Sequence, residues 1–187
     1  MSLQVRQILE GEYSRFASVA DRWEILSSRA LKTLDPSSDI YGRMSDSSTV
    51  CLSLFCKLQG PRKDSSIKFF ISEDTNGTPQ ALAMTCFRSE EICVKFLASC
   101  PWNIAPIANV GNYPVKGAGT SLLLEIIRQA SYERKGVFLE SYALAKPFYE
   151  KFGFTAVSLA SPNAVPMSLS IEKICSLYPQ YSPSIAA

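Results

Sequence analysis

Val115-Lys116-Gly117-Ala118-Gly119-Thr120, running straight into Ser121-Leu-Leu-Leu-Glu-Ile-Ile-Arg-Gln-Ala130, is the stretch on which the reading of this chain turns. Leu123, Ile126, Ile127 and Ala130 recur at helical spacing and predict a helix from Thr120 to about Arg134 with one apolar stripe. The two glycines before it let the backbone turn tightly and come close to a ligand. The first turn of a helix offers unpaired N–H groups with positive dipole character. Phosphate groups suit both properties. Gly-x-Gly before a helix also fits a plain tight turn with Thr120 as N-cap and nothing bound. Two familiar phosphate loops are excluded. The Lys-Ser/Thr ending of a Walker loop is missing, and Leu122 stands where a dinucleotide loop needs its third glycine.

Upstream of the loop the pattern has period two. Glu91–Ser99 places Ile92, Val94, Phe96 and Ala98 on one face and Cys93, Lys95, Leu97 and Ser99 on the other, the mark of a strand. Ile67–Ser72 reads as another strand, and Asn76-Gly77 as a turn into a third at Gln80–Phe87. Short turns between consecutive strands argue an antiparallel meander. Before it, Phe16, Val19, Ala20, Trp23, Leu26, Ala30 and Leu31 predict a helix over Tyr13–Leu34, stopped by Asp35-Pro36. The polar stretch Pro36–Thr49 reads as a loop, and the apolar Val50–Leu58 as a strand or a helix, with the strand favoured. Pro101–Pro114, with three prolines and a glycine, reads as a loop.

Downstream, Gly136 caps or follows the long helix and Val137–Ser141 is a strand. A short helix over Leu144–Lys151 follows, then strands near Phe154–Leu159 and Met167–Ile174. The sum is an α/β (α+β) domain with a mixed, mostly antiparallel sheet. One domain over residues 1–175 is expected, with residues 176–187 as a flexible tail.

Composition narrows the function. The chain has 187 residues, 47% apolar and 19% charged, enough for one core of ordinary size. Lys and Arg number 19 against 17 Asp and Glu, so the net charge of +2 gives no argument for nucleic acid or an anionic membrane as partner. Histidine is absent, which excludes Ser-His-Asp and Cys-His catalysis and His-ligated metals. The six cysteines form no Cys-x-x-Cys pair, and they read as buried thiols in a cytoplasmic protein. No metal is expected. The first ten residues lack a signal-peptide h-region, and no apolar run approaches the ~20 residues of a membrane span.

The loop also resembles the acyl-CoA loop of the GNAT superfamily of N-acetyltransferases, Gln/Arg-x-x-Gly-x-Gly/Ala. Gly117 and Gly119 occupy its glycine positions, and Pro114 stands where Gln or Arg is usual. Ala145-Lys-Pro-Phe-Tyr-Glu-Lys-Phe-Gly-Phe154 is similar to the superfamily's Ala-x-x-Phe-Tyr-Glu-Lys-x-Gly-Phe segment. Order and spacing agree over Glu91–Phe154, about a third of the chain. Leu97-Ala-Ser-Cys-Pro-Trp-Asn103 further resembles a Thr-Ala-Pro-Trp-Asn strand end of some bacterial members.

This resemblance implies a twisted sheet flanked by helices, and acetyl transfer from acetyl-CoA to an amine in a ternary complex. It implies that Leu97, Ala98 and Ser99 pair with the pantetheine arm, and that Val115, Lys116, Gly117, Ala118, Gly119, Thr120 and Ser121 cradle the phosphates. Tyr149 matches the superfamily's general acid, since a phenol of pKa ~10 holds its proton at neutral pH. Glu140 is the candidate base, with Glu90 or Glu91 behind it. Lys95 stands on the strand where the superfamily often has a carboxylate. Lys146 and Lys151 either touch phosphates or simply solvate their helix. Cys100 is either an acylated nucleophile or a spectator thiol. The expected partner is an amine-bearing small molecule or a protein acceptor, and a homodimer is common in the superfamily. Two other readings stay open: an acyl-CoA-binding relative without catalysis, and a structural domain whose glycine loop is only a turn.

Overall fold

Among the described residues there are seven strands and five helices, with two elements the sequence reading lacked, one helix where it favoured a strand, and several shifted ends. They are β1 (Gln4–Gln7), α1 (Tyr13–Leu31), α2 (Asp39–Gln59), β2 (Ile67–Glu73), β3 (Pro79–Phe87), β4 (Glu91–Ser99), α3 (Ala118–Tyr132), β5 (Gly136–Ser141), α4 (Lys146–Glu150), β6 (Thr155–Ala156), β7 (Val165–Leu169) and α5 (Ile171–Leu177). The structure, a computed structural model, describes residues 2–60, 64–105, 107, 114–157 and 164–181. Strand order in the sheet is β1-β2-β3-β4-β5-β7-β6, mixed and mostly antiparallel. Among the described residues no helix is long and apolar enough to cross a membrane.

The chain forms two compact units, one within Met1–Met84 and Phe96–Leu122, the other within Thr85–Lys95 and Leu123–Ala187. In the first unit α1 and α2 pack together. α1 buries Phe16, Ala17, Ala20, Trp23 and Ser27, and Trp23 meets Trp102 edge-on with centroids 6.1 Å apart. β1, which the polar sequence hides, pairs antiparallel with β2, Gln4 opposite Glu73 and Gln7 opposite Phe70. Phe69, Phe70 and Ile71 of β2 and Ala81–Met84 of β3 are consecutively buried, so both faces of these strands are covered. The predicted Asn76-Gly77 turn joins them. Gly77 has φ +73° and donates to the Asp74 carbonyl at 3.0 Å.

α2 corrects the sequence reading, which made Pro36–Thr49 a loop and favoured a strand over Val50–Leu58. Met44, Ser47, Cys51, Leu54 and Leu58 are all buried on one helical stripe. The Ser38 hydroxyl starts the helix by accepting the Tyr41 N–H at 3.2 Å. Ser38 is therefore a cap, Ser47 part of the buried stripe, and Ser45, Ser48 and Ser53 half-buried positions on the helix flanks.

In the second unit β4 and β5 pair in parallel over Glu91–Val94 and Gly136–Leu139, and β4 itself continues to Ser99. β5 pairs antiparallel with β7, Val137 opposite Leu169, and β7 with β6. Leu123, Ile126, Ile127 and Ala130 of α3 are buried as their spacing predicts. The residue that ends α3 in the left-handed region is Arg134 (φ 55°), so Gly136 follows the helix and does not cap it. Lys135 N–H closes the motif onto the Ala130 carbonyl at 2.8 Å, and Gly136 opens β5.

The predicted Leu144–Lys151 helix is a 3-10 turn at Ala143–Ala145 running into α4. The predicted Met167–Ile174 strand stops at Leu169. Ser170 then caps α5 by accepting the Lys173 N–H at 3.3 Å. The strand expected over Phe154–Leu159 is seen as Thr155–Ala156, and 158–159 lie outside the described residues, as do 106 and 108–113 of the expected Pro101–Pro114 loop. Of the expected tail, Leu177 ends α5, Pro179–Tyr181 form a 3-10 turn and the Tyr178 hydroxyl donates to the Phe152 carbonyl at 3.2 Å; 182–187 lie outside the described residues.

Candidate functional site

α3 begins at Ala118, two residues earlier than Thr120, so Thr120 lies within its first turn and is not its N-cap. Gly117 precedes it with φ +90° and open space where a Cβ would stand. Only glycine holds that backbone without strain. Ser121 N–H closes the first helical bond onto the Gly117 carbonyl at 2.8 Å. Ahead of it, the N–H groups of Lys116, Gly117, Ala118, Gly119 and Thr120 find no partner among the described residues. Consecutive donors of this kind, at the positive end of a 15-residue helix, have the chemistry to receive an anion. Lys116 is exposed beside them.

The expected cradle residues do different jobs. Val115 is buried, and its N–H goes to Asn103 Oδ1 at 2.7 Å, so it anchors the loop and its own amide is taken. Ala118 is buried beneath the turn. A Cβ on Gly119 would sit 3.2 Å from Ser99 Oγ and 3.6 Å from Leu97 Cδ2, so the missing side chain lets the first turn of α3 close against the end of β4. Leu97 and Ser99 are thus brought to the loop, with Ala98 buried between them. The Ser99 carbonyl accepts the Ser47 hydroxyl of α2 at 3.4 Å.

Behind the loop lies a buried polar network. Gln80 Oε1 accepts from the Cys100 thiol, Trp102 Nε1 and Asn103 Nδ2, each at 3.3 Å, while Gln80 Nε2 donates to Asp74 Oδ2 at 3.1 Å. Asp74 Oδ1 accepts the N–H groups of Asn76 and Thr78, both at 2.9 Å. Burial alone would push the Asp74 carboxyl up. These donors outweigh it and hold the group below the usual range. Burial pushes the Cys51 thiol up to about 12 and the Cys100 thiol higher still. Cys100 is fully buried and protonated, a poor nucleophile.

Tyr149 and Glu140 belong to the second unit. Tyr149 is 8% exposed, its ring edge-on to Phe148 and Phe154 with centroids at 5.1 and 5.9 Å. Burial pushes its phenol up to about 12, and its hydroxyl finds no hydrogen-bond partner among the described residues. Glu140 is exposed on β5, opposite Pro166 of β7. Lys146 pairs with Glu150 one turn on at 3.3 Å, and Lys151 is exposed. Gln80 and Asp74 escaped the sequence reading. Asn103 was within sight, closing the Pro-Trp-Asn segment.

No protein-family model matches the sequence, and no curated protein matches it. Solved structures do. The PaiA N-acetyltransferase of Thermoplasma acidophilum, in complex with coenzyme A, superposes with a TM-score of 0.56 at 14% identity, covering 91% of this chain and 99% of that one. The ribosomal-protein-S18-alanine N-acetyltransferase of Escherichia coli gives 0.52 at 16%, covering 91% and 94%. A GNAT-family acetyltransferase of Staphylococcus aureus Mu50 gives 0.53 at 9%, covering 91% and 99%. The shared property is the fold: this chain has the fold of the GNAT acetyltransferases.

Proposed function

We propose that this chain transfers an acetyl group from acetyl-CoA directly to the amine of a small-molecule or protein acceptor. The observation that carries the reading is the run of five amides, Lys116–Thr120, that find no partner among the described residues and open α3 in a GNAT fold. A pyrophosphate supplies the acceptors those donors lack, and Lys116 adds a positive charge. Leu97, Ala98 and Ser99 line the adjoining strand end. Acetyl-CoA, when bound, supplies the activated thioester. Tyr149 keeps its proton at neutral pH and can deliver it from its hydroxyl to a departing sulfur, since no described residue hydrogen-bonds that hydroxyl. The protonated, enclosed Cys100 favours direct transfer over an acylated-cysteine route. Glu140 stands in water, so we assign it no more than help in accepting a proton from the amine.

Thiol release from acetyl-CoA over a panel of amines tests this reading. Tyr149→Phe should lower turnover about 10²-fold, the scale of a lost general acid, with CoA affinity nearly unchanged. Equal turnover in the two proteins removes the acid role. A second reading, an acyl-CoA-binding protein without catalysis, is favoured by exposed Lys95 on β4 and exposed Glu140 on β5. CoA binding without acetylation of any amine would support it.

A further inference from the structure

We propose that Asn103 and Gln80 are positioning residues for the Lys116–Thr120 amides, acting through a buried hydrogen-bond relay that starts at Asp74. This rests on the acyl-CoA reading of the loop. The relay has one polarity. Both Asp74 oxygens are acceptors, one fixed by the Asn76 and Thr78 amides of the β2–β3 turn, the other receiving Gln80 Nε2. Gln80 must therefore aim its oxygen the other way, where Cys100, Trp102 and Asn103 all donate to it. With its amide nitrogen so engaged, Asn103 can present only its oxygen to the Val115 N–H.

That last bond, at 2.7 Å, falls on the residue immediately before the loop and first-turn amides. Pro114 has no N–H, so Val115 is where the entering backbone can be pinned by a donated bond. Gln80 is 1% exposed and Asp74 9%, so a reversed amide would bury like against like without help from water. The loop that would hold phosphate is thus set by side chains far from it in sequence. Five donors without a partner among the described residues follow the one donor, on Val115, that is committed.

Gln80→Glu tests the polarity, since it turns the donor facing Asp74 into an acceptor. Calorimetric titration with coenzyme A should show binding weakened about 10- to 100-fold, the range for one buried group left unmatched. Adding Asp74→Asn should restore affinity to within about threefold, because the new amide donates where Gln80 did and its oxygen still caps the turn. A merely structural role for Gln80 predicts no such recovery. Asn103→Leu should release the Val115 amide to fast hydrogen exchange while Leu123 and Ile127 in α3 stay protected.

Wild-type affinity in Gln80→Glu, or no recovery in the double variant, overturns the relay. If the wild type itself does not bind coenzyme A, the acyl-CoA reading falls instead. Val115 exchange then judges the relay alone: a rate unchanged by Asn103→Leu overturns it.

Discussion

Gly117 and Gly153 share a backbone conformation, φ +90° and +89°, yet their surroundings differ. Gly117 faces open space, which fits a backbone that comes close to a ligand. Gly153 is walled in: a Cβ there would collide with Leu177 and press on Leu169 and Lys173. Gly153→Ala adds left-handed strain and should cost about 1–2 kcal/mol in urea unfolding, since the half-exposed end of Leu177 can swing aside. Arg134 is the converse, a non-glycine residue at φ 55° closing α3. Arg134→Gly should stabilise the fold by about 0.5–1 kcal/mol, seen as a higher urea midpoint with an unchanged m-value. The glycines of the loop were legible because glycine before a helix is a local sign. Arg134 was not, since nothing in its identity marks the left-handed region.

At the scale of elements, local signals decided what could be read. β4 was read to the residue because its alternation is strict, and the inner stripe of α3 because four apolar residues keep helical spacing. α2 was missed because its buried stripe includes Ser47 and Cys51, while serines crowd its flanks and imitate a loop. Its start rests on one hydroxyl. Ser38→Ala should cost about 1 kcal/mol in thermal or urea unfolding, the usual value of an N-cap. Leu54→Ala, on the fully buried stripe, should cost about 2–5 kcal/mol in the same experiment. A strand of like composition facing solvent would show a fraction of that loss. β1 and the start of α5 were hidden for related reasons. Polar Gln4–Gln7 is a strand only because β2 offers it an edge, and Ser170 converts an apolar run into a helix.

At the scale of the whole molecule, the order of elements survives where identity does not, as fold likeness at 9–16% identity demonstrates. Packing tolerates such drift when apolar and polar positions keep their places. The candidate site was legible in part. The loop and Tyr149 carry local motifs, whereas Gln80 meets Asn103 only through folding, 23 positions apart in sequence. Asp74 also links this network to pH. Its carboxyl is held below its unfolded value of about 3.9, so the stability it contributes is present above that pH and lost as pH falls through the folded value. The unfolding free energies of wild type and Asp74→Asn should therefore differ at pH 7 and converge in acid below pH ~4. A gap that stays constant down to low pH would remove Asp74 from the titration.

The central claim, that the amides opening α3 hold the phosphates of acetyl-CoA, is tested most directly by calorimetric titration of the wild type and Gly119→Glu with coenzyme A. Thermal unfolding of both proteins serves as the check that each is folded. We predict saturable binding by the wild type and at least about a tenfold loss in the variant, whose side chain would press the first turn of α3 off Ser99 and Leu97 and bring a like charge close to the anion. Equal affinity in the two folded proteins, or no binding by the wild type, would contradict the account.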